Sequence, residues 1–291
     1  MSGFLRGTGV ALATPFNSDG SIDYDGVTKL VDFCVGGGVE YLVALGTTAE
    51  SVTLSKEEKK SLIQHIVQVN DKRLPLVIGI GGNNTAAILQ EIKDTNLSDF
   101  DAILSVVPMY NRPNQEGVYQ HYKAINDNTP LPVLLYNVPS RTGTNMTAET
   151  TLRLAQLDNI VGIKEAVGDF TQVLKVLKDR PKDFLVISGD DALALPAVAA
   201  GGDGVISVVG QGFPKEFSEM IRLGLAGETS KAFQILYKLL PVMDYAFAEG
   251  NPAGIKNVLK AKGICNDNLR LPLVPVSDEL AKKIKDFIKK K

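Results

Sequence analysis

A regular alternation of short apolar segments with longer amphipathic segments is the feature that most constrains the fold of this chain. Eight segments are rich in branched apolar residues, as strands are. They are 9–15, 41–46, 76–81, 102–108, 133–138, 161–166, 184–188 and 204–208. Helical patterns lie between them, for example at 55–69, 115–126, 148–156 and 170–178. Strands that alternate with helices in this way predict βαβ units and a parallel sheet.

The strand-like segments are apolar on both faces, which is typical of a parallel sheet that helices cover on the outside. Eight such strands within about the first 227 residues favour a closed (β/α)8 TIM barrel over an open, doubly wound sheet. No G-x-G-x-x-G sequence follows the first strand, and the glycines at 79–82 lack the spacing of a phosphate-binding loop. We therefore expect an α/β barrel.

The strand pattern stops at about residue 227, and only helical patterns follow, at 228–249, 251–262 and 277–290. No linker rich in glycine, serine or proline separates the two parts of the chain. The sequence predicts a catalytic barrel domain at 1–227 and a C-terminal helical domain at 228–291.

The composition excludes several classes of protein. The 31 Lys and Arg residues nearly balance the 33 Asp and Glu residues, which argues against a nucleic-acid-binding protein. No apolar run approaches the ~20 residues of a membrane span. Two cysteines (Cys34 and Cys265) and two histidines (His65 and His121) do not have the spacing of a zinc site. We expect a cytoplasmic protein with reduced cysteines, no metal and no cofactor.

Lys164 is the most informative residue, because it lies within a strand that is otherwise apolar (160–166). Alternation of side chains along a strand would put Ile160, Gly162 and Lys164 on one face. A charged lysine is costly to bury, so Lys164 either pairs with a carboxylate or loses its proton. A neutral lysine is what imine formation with a carbonyl compound requires. The structural alternative is an ion pair with Glu165 or Asp190.

Other reactive side chains also follow predicted strands, where the active site of such a barrel lies. Thr47 and Thr48 form a turn whose hydroxyl and N–H groups could hold an anion, or the turn is simply a loop. Tyr136 ends one strand and Arg141 follows it, where a guanidinium can bind a carboxylate; the alternative is a core tyrosine and a surface arginine. Tyr110 follows another strand and is either catalytic or a packing residue. Together with Lys164, these residues indicate an imine-forming enzyme that acts on a small 2-oxo acid.

Four motifs carry a family resemblance. They are GTTAES at 46–51, YNRP at 110–113, YNVPSRTG at 136–143 and GIKE at 162–165. In these motifs the chain resembles the 4-hydroxy-tetrahydrodipicolinate (dihydrodipicolinate) synthase family of the pyruvate-dependent class I aldolase superfamily. The resemblance runs from about residue 7 to the C-terminal helices. It implies a (β/α)8 barrel with a helical extension, in a homotetramer built as a dimer of tight dimers.

The resemblance also implies roles for four catalytic residues. Lys164 matches the lysine that forms the imine with pyruvate. Tyr136 matches the tyrosine that assists this step and moves protons. Thr47 matches the threonine that links two tyrosines in a proton relay. Tyr110 matches the second tyrosine, which reaches across the tight-dimer interface into the neighbouring site.

Three further matches concern substrate binding. Thr48 matches a residue that holds the pyruvate carboxylate, and Arg141 matches the arginine that binds the carboxylate of L-aspartate 4-semialdehyde. Ile206 matches a backbone position near the lysine. The implied product is 4-hydroxy-tetrahydrodipicolinate, an intermediate of lysine and diaminopimelate biosynthesis. The implied partners are therefore the two substrates, with neither nucleic acid nor a membrane, and the implied chemistry needs no cofactor.

Three positions depart from the lysine-inhibited members of the family. Met109 replaces a tyrosine of the allosteric lysine site, and Lys56 and Ala87 stand where a histidine and a carboxylate occur. A second cation and a missing carboxylate would oppose binding of an ammonium group. These departures predict weak or absent inhibition by L-lysine.

Two rival functions share parts of this pattern. Another lyase of the superfamily, such as an N-acetylneuraminate or 2-keto-3-deoxy-sugar acid aldolase, would keep Lys164, Tyr136 and Thr47 but differ at Arg141. A non-catalytic barrel that only binds 2-oxo acids would form no covalent adduct on Lys164.

Overall fold

Eight parallel strands close into a barrel in the computed structural model, which describes residues 3–290. The strands pair in chain order, and the last strand pairs with the first, where Gly9 lies opposite Ile206. The predicted (β/α)8 barrel is confirmed. The strands are β1 (Gly7–Ala11), β2 (Tyr41–Ala44), β3 (Leu76–Gly79), β4 (Ala102–Val106), β5 (Val133–Asn137), β6 (Ile160–Glu165), β7 (Leu185–Ser188) and β8 (Gly204–Ser207).

Helices connect the strands and continue after the last one. Those of the barrel are α1 (Tyr24–Gly36), α2 (Lys56–Asn70), α3 (Thr85–Asp94), α4 (Gln115–Asn126), the short α5 (Pro139–Thr142), α6 (Ala148–Leu154), α7 (Phe170–Asp179), α8 (Ala194–Ala199) and α9 (Pro214–Leu225). Three more follow: α10 (Thr229–Ala248), α11 (Ala253–Ala261) and α12 (Asp278–Lys289). No helix within residues 3–290 combines the length and hydropathy needed to cross a membrane.

Most strands are shorter at their carboxyl ends than the sequence pattern predicts. β1 ends at residue 11 rather than 15, and β2 ends at residue 44 rather than 46. The reason is that the chain leaves the sheet to build the loops above it. Leu45 has a φ of 54°, and its carbonyl oxygen would lie 2.4 Å from a Cβ at Gly79, so only glycine fits where this loop crosses β3.

The barrel interior is filled by alternate side chains of the strands. Leu134 and Tyr136 of β5 share this interior face, as alternation predicts. In β6 the alternation is broken: Val133 pairs with Ile160 but Leu134 pairs with Gly162, so Val161 is an extra, bulged residue. Ile160 therefore packs against the outer helices. The prediction that Ile160 shares a face with Gly162 and Lys164 is wrong for Ile160.

The helices after β8 pack on the outside of the barrel. Leu236 and Leu239 of α10 belong to one buried apolar cluster with Leu195 of α8 and Phe217 of α9. The C-terminal helices thus bury their apolar faces on the last helices of the barrel. This contact brings α11 close to the carboxyl ends of the strands, where the loops after β2 and β5 lie.

Candidate active site

A cavity of about 540 Å³ opens at the carboxyl ends of the strands. Five of the residues predicted from the sequence line it together, although they come from three separate parts of the chain: Thr47, Thr48, Tyr136, Arg141 and Lys164. The C-terminal part contributes a further section of the wall through α10 and the loop that follows it. The structure therefore brings these five candidates to one site.

Lys164 is the second-last residue of β6, and its side chain is directed into the barrel interior. The residue is 5% exposed, and β6 holds it in register with Tyr136 of β5 and Ile187 of β7. Its Nζ lies 4.3 Å from the centre of the Tyr136 ring. No carboxylate within residues 3–290 lies in ion-pairing distance of this amine, so the alternative of an ion pair with Glu165 or Asp190 is wrong.

Glu165 points to the opposite face of β6 and belongs to a buried polar network behind β5 and β6. Its Oε1 accepts hydrogen bonds from Asn137 Nδ2 (2.9 Å) and Val167 N (3.0 Å), and its Oε2 accepts one from Gln172 Nε2 (3.1 Å). Burial raises the pKa of Glu165 from 4.5 to about 7, and these hydrogen bonds oppose the rise. This network was not predicted from the sequence, although Asn137 is a polar residue on the outer face of an apolar strand and so is a signal for it.

The turn after β2 presents its two threonines differently. Thr47 is exposed at its edge, whereas Thr48 is only 2% exposed. Thr48 Oγ1 accepts a hydrogen bond from Asn251 Nδ2 at 3.0 Å, so its own O–H can donate to a bound anion. The turn therefore offers a hydroxyl donor that faces the cavity.

Arg141 lies in α5, directly after the strand that carries Tyr136. Its Nη2 donates a hydrogen bond to the carbonyl oxygen of Asn251 at 3.2 Å. Asn251 thus contacts both Thr48 and Arg141, and its Oδ1 is buried without a partner in residues 3–290. Sequence reasoning missed Asn251, because nothing in the local pattern of the loop between α10 and α11 marks it.

Two predicted site residues do not line the cavity of the single chain. The side chain of Tyr110 is 88% exposed, and its backbone, with a φ of 71°, is held by a hydrogen bond from its N–H to Thr142 O at 3.2 Å. Ile206 is fully buried in the barrel interior, where its side chain packs as part of the core. The roles assigned to these two residues remain predictions.

A second buried carboxyl group connects the loops after β7 and β8. Asp191 accepts hydrogen bonds from Ser207 Oγ (2.6 Å) and Val209 N (2.8 Å). Burial raises its pKa from 3.8 to about 6. The side chain fixes the two loops that flank the lysine on the side away from Tyr136.

Histidines and cysteines lie away from the cavity. The His65 ring contacts Thr28 Oγ1 (2.9 Å), and His121 Nδ1 contacts Thr85 Oγ1 (2.8 Å). Burial lowers the pKa of His121 to about 4. Cys34 is buried, and burial also raises the pKa of Cys265 to about 12. Within residues 3–290, no three His, Cys, Asp or Glu side chains cluster as metal ligands.

Comparison with known proteins agrees with this geometry. The model of the dihydrodipicolinate synthetase family matches residues 4–291. A 4-hydroxy-tetrahydrodipicolinate synthase of Flavobacterium psychrophilum is 52% identical over 290 residues, which are 99% of each chain. The dihydrodipicolinate synthase structure from Thermotoga maritima has a TM-score of 0.96 at 38% identity, covering 99% of this chain and 98% of that one.

A third relative has been solved with a small molecule. The crystal structure of a chloride-inhibited dihydrodipicolinate synthase from Acinetobacter baumannii, complexed with pyruvate, has a TM-score of 0.95 at 38% identity and covers 98% of both chains. The match in fold, length and sequence extends over barrel and C-terminal helices alike. The chain belongs to the dihydrodipicolinate synthetase family, whose curated members are enzymes.

Proposed function

We propose that this chain condenses pyruvate with L-aspartate 4-semialdehyde through an imine on Lys164, to give 4-hydroxy-tetrahydrodipicolinate. The observation that carries the proposal is a buried amine with no ion-pairing carboxylate in residues 3–290, which faces Tyr136 inside the cavity. The names of the relatives support the choice of substrates, and the relative complexed with pyruvate supports the first of them.

The first half of the reaction makes the imine. The neutral Nζ of Lys164 attacks the ketone carbon of pyruvate and forms a carbinolamine. Tyr136 then supplies the proton with which the carbinolamine hydroxyl leaves as water. The geometry suits this step, because the Nζ of Lys164 lies 4.3 Å from the centre of the Tyr136 ring inside the cavity.

The second half uses the imine as an electron sink. Loss of a proton from the pyruvate methyl group gives an enamine, and this carbon attacks the aldehyde carbon of the semialdehyde. The amino group of the second substrate then adds to the imine carbon, closes the ring and displaces Lys164. The amine returns to its starting state, so the cycle needs no external oxidant or reductant.

Each substrate carboxylate has a candidate partner at the rim of the cavity. Thr48 Oγ1 donates to the carboxylate of pyruvate, and the Arg141 guanidinium binds that of the semialdehyde. Because Asn251 contacts both residues, the two carboxylate sites have a common support. The backbone at Ile206 on β8, two strands from the lysine strand, completes the proposed site.

Proton transfer to solvent is assigned to Tyr136, Thr47 and Tyr110. Tyr110 cannot complete this relay within one chain, because its side chain lies outside the cavity and is largely exposed. We therefore propose that a second copy of the chain supplies Tyr110, in a homotetramer built from tight dimers. The proposal also assigns the chemistry to residues 1–227 and support to residues 228–291, and locates the protein in the cytoplasm.

Borohydride trapping tests the proposal directly. The protein is mixed with pyruvate and sodium borohydride, and peptides are identified by mass spectrometry. We expect one reduced pyruvate adduct on Lys164, none in Lys164→Arg, and none on Lys256, which is buried but ion-paired. Absence of the adduct would refute the imine mechanism, and cleavage of sugar acids in place of condensation would refute the second substrate.

A further inference from the structure

Glu50 and Lys256 form an ion pair that solvent does not reach, and the proposed chemistry uses neither residue. Glu50 directly follows the turn that carries Thr47 and Thr48, and Lys256 lies in α11. Lys256 Nζ is 2.5 Å from Glu50 Oε1, and the two side chains are 0% and 1% exposed. The pair thus connects the loop after β2 to a helix more than 200 residues further along the chain.

The remaining hydrogen-bonding capacity of this pair is used by neighbouring groups. Lys256 Nζ also donates to Asn268 O at 2.8 Å and lies 4.2 Å from the centre of the Phe16 ring. Glu50 Oε2 accepts a hydrogen bond from Arg270 N at 3.1 Å. A buried ion pair is weak evidence for stability, since desolvation offsets most of the attraction, but directed bonds of this kind can fix one conformation.

The conformation that the pair fixes is that of the threonine turn. Glu50 has a φ of 53°, in the left-handed region, and its N–H closes the turn by donating to Thr47 O at 3.2 Å. A non-glycine residue stays in this region only when its surroundings hold it there. Two other contacts hold the same turn: Thr14 Oγ1 donates to Ala49 O, and Asn251 donates to Thr48.

We propose that the Glu50–Lys256 pair is a positioning device that holds the Thr47–Thr48 turn in the orientation that binds the carboxylate of the 2-oxo acid. Helix α11 then contributes to substrate binding without contacting the substrate. This inference rests on the proposed function, because it takes Thr48 as a ligand of pyruvate.

A pair that only stabilises the fold would behave differently from a positioning pair. Lys256→Met and Glu50→Gln each leave one buried group without its partner, and we expect both to lower the melting temperature. The double variant E50Q/K256M removes both charges and should recover most of that loss. We expect its half-saturating pyruvate concentration to be about tenfold above that of the wild type, because no ion pair directs the turn in this variant.

The readout is borohydride trapping on Lys164 as a function of pyruvate concentration, together with the melting temperature. Lys260→Met is the matched control, since Lys260 lies one turn further along α11 and its pair with Asp267 (2.8 Å) is at the surface, with the lysine 55% exposed. We expect wild-type half-saturation in this control.

The outcomes separate the two proposals. If wild type traps no pyruvate, the proposed function fails. If wild type traps pyruvate and the double variant does so within about twofold of the wild-type half-saturation, the positioning role is refuted. If the double variant does not fold, Lys256→Arg is measured in its place. The larger guanidinium keeps the charge but cannot occupy the position of the lysine Nζ between Glu50 Oε1 and Asn268 O. A folded K256R protein with wild-type half-saturation would refute the positioning role equally.

Discussion

Gly189 lies against the side chain of Lys164, so a methyl group at this position tests how closely the amine must be placed for the proposed imine formation. A Cβ at Gly189 would lie 2.8 Å from Ala166 Cβ, 3.0 Å from Lys164 Cε and 3.2 Å from Lys164 Cγ. Carbon atoms in ordinary contact are about 3.5–4.0 Å apart, so the neighbours must move by roughly 0.5–1 Å. The backbone cannot easily yield, because Gly189 N donates to Glu165 O at 2.7 Å.

In Gly189→Ala the flexible lysine stem can move away from the new methyl group, whereas the contact with Ala166 Cβ strains the backbone. Overpacking of this size costs about 1–3 kcal/mol of unfolding free energy. A displacement of about 1 Å at the reacting atom can reduce the rate about 10²-fold. We accordingly expect kcat to fall about 100-fold, while stability falls by no more than about 3 kcal/mol.

The assay compares Gly189→Ala with Gly168→Ala, in the loop just beyond Ala166, where a new Cβ would meet no atom within 4 Å. The control measures the general effect of replacing a loop glycine. Single-turnover trapping of pyruvate by borohydride gives the rate of imine formation, and denaturant titration gives the stability. A Gly189→Ala enzyme that forms the imine at the wild-type rate would refute the argument that the lysine stem is confined by this contact.

Other predictions follow from the same site. The raised pKa of Glu165 means that the native state keeps a proton which the unfolded state has lost between pH 4.5 and about 7, so stability falls as the pH rises. Wild type should therefore lose up to about 3 kcal/mol more than Glu165→Gln over this range in denaturant titrations, and parallel curves would contradict this. Thr48→Val should raise the half-saturating pyruvate concentration about tenfold in the trapping assay. Arg141→Ala should lower kcat/KM for the semialdehyde about 10- to 100-fold with pyruvate trapping unchanged, and a matching loss of trapping would contradict its role. Titration with L-lysine should show no half-inhibition below about millimolar concentrations, since Lys56 adds a cation where an ammonium group would have to bind.

The fold could be predicted almost completely, because parallel strands buried on both faces give runs that are hard to mistake. The strand ends could not, because they depend on where the loops leave the sheet. Residues 45 and 46 look like a continuation of β2, yet Leu45 turns into the left-handed region to start the loop. The hydrophobicity of a residue does not reveal a change in its backbone conformation. The apolar pattern therefore predicted that β2 continues to residue 46, although it ends at residue 44.

The sequence also identified five candidate site residues that line one cavity, whereas it did not identify the residues that support them. Lys164 stands out in the sequence because a charged side chain within a buried apolar strand costs free energy. Asn251 carries no such signal, since it contacts Thr48 from 203 positions away. The same holds for Lys256, which reads as an ordinary polar position of an amphipathic helix until the fold brings it against Glu50. Contacts of this range come from the docking of the C-terminal helices and not from any local pattern.

The bulge at Val161 shows how a single residue can set the position of the Lys164 amine. Strict alternation from Ile160 would turn Lys164 to the same side as Ile160, which packs against the outer helices. The extra residue shifts the alternation of side chains in β6 by one residue. Ile160 therefore stays on the outer face, while Lys164 faces Tyr136 on the adjoining strand β5. Val161 is apolar, and both faces of the strand are apolar at this level, so either phase satisfies the hydrophobic pattern. The choice is made by pairing with the neighbouring strands instead. Gly162 lies opposite Leu134 of β5, and a Cβ at this position would lie 2.6 Å from Leu185 O of β7 and 3.1 Å from Leu134 Cδ1, so no larger side chain fits.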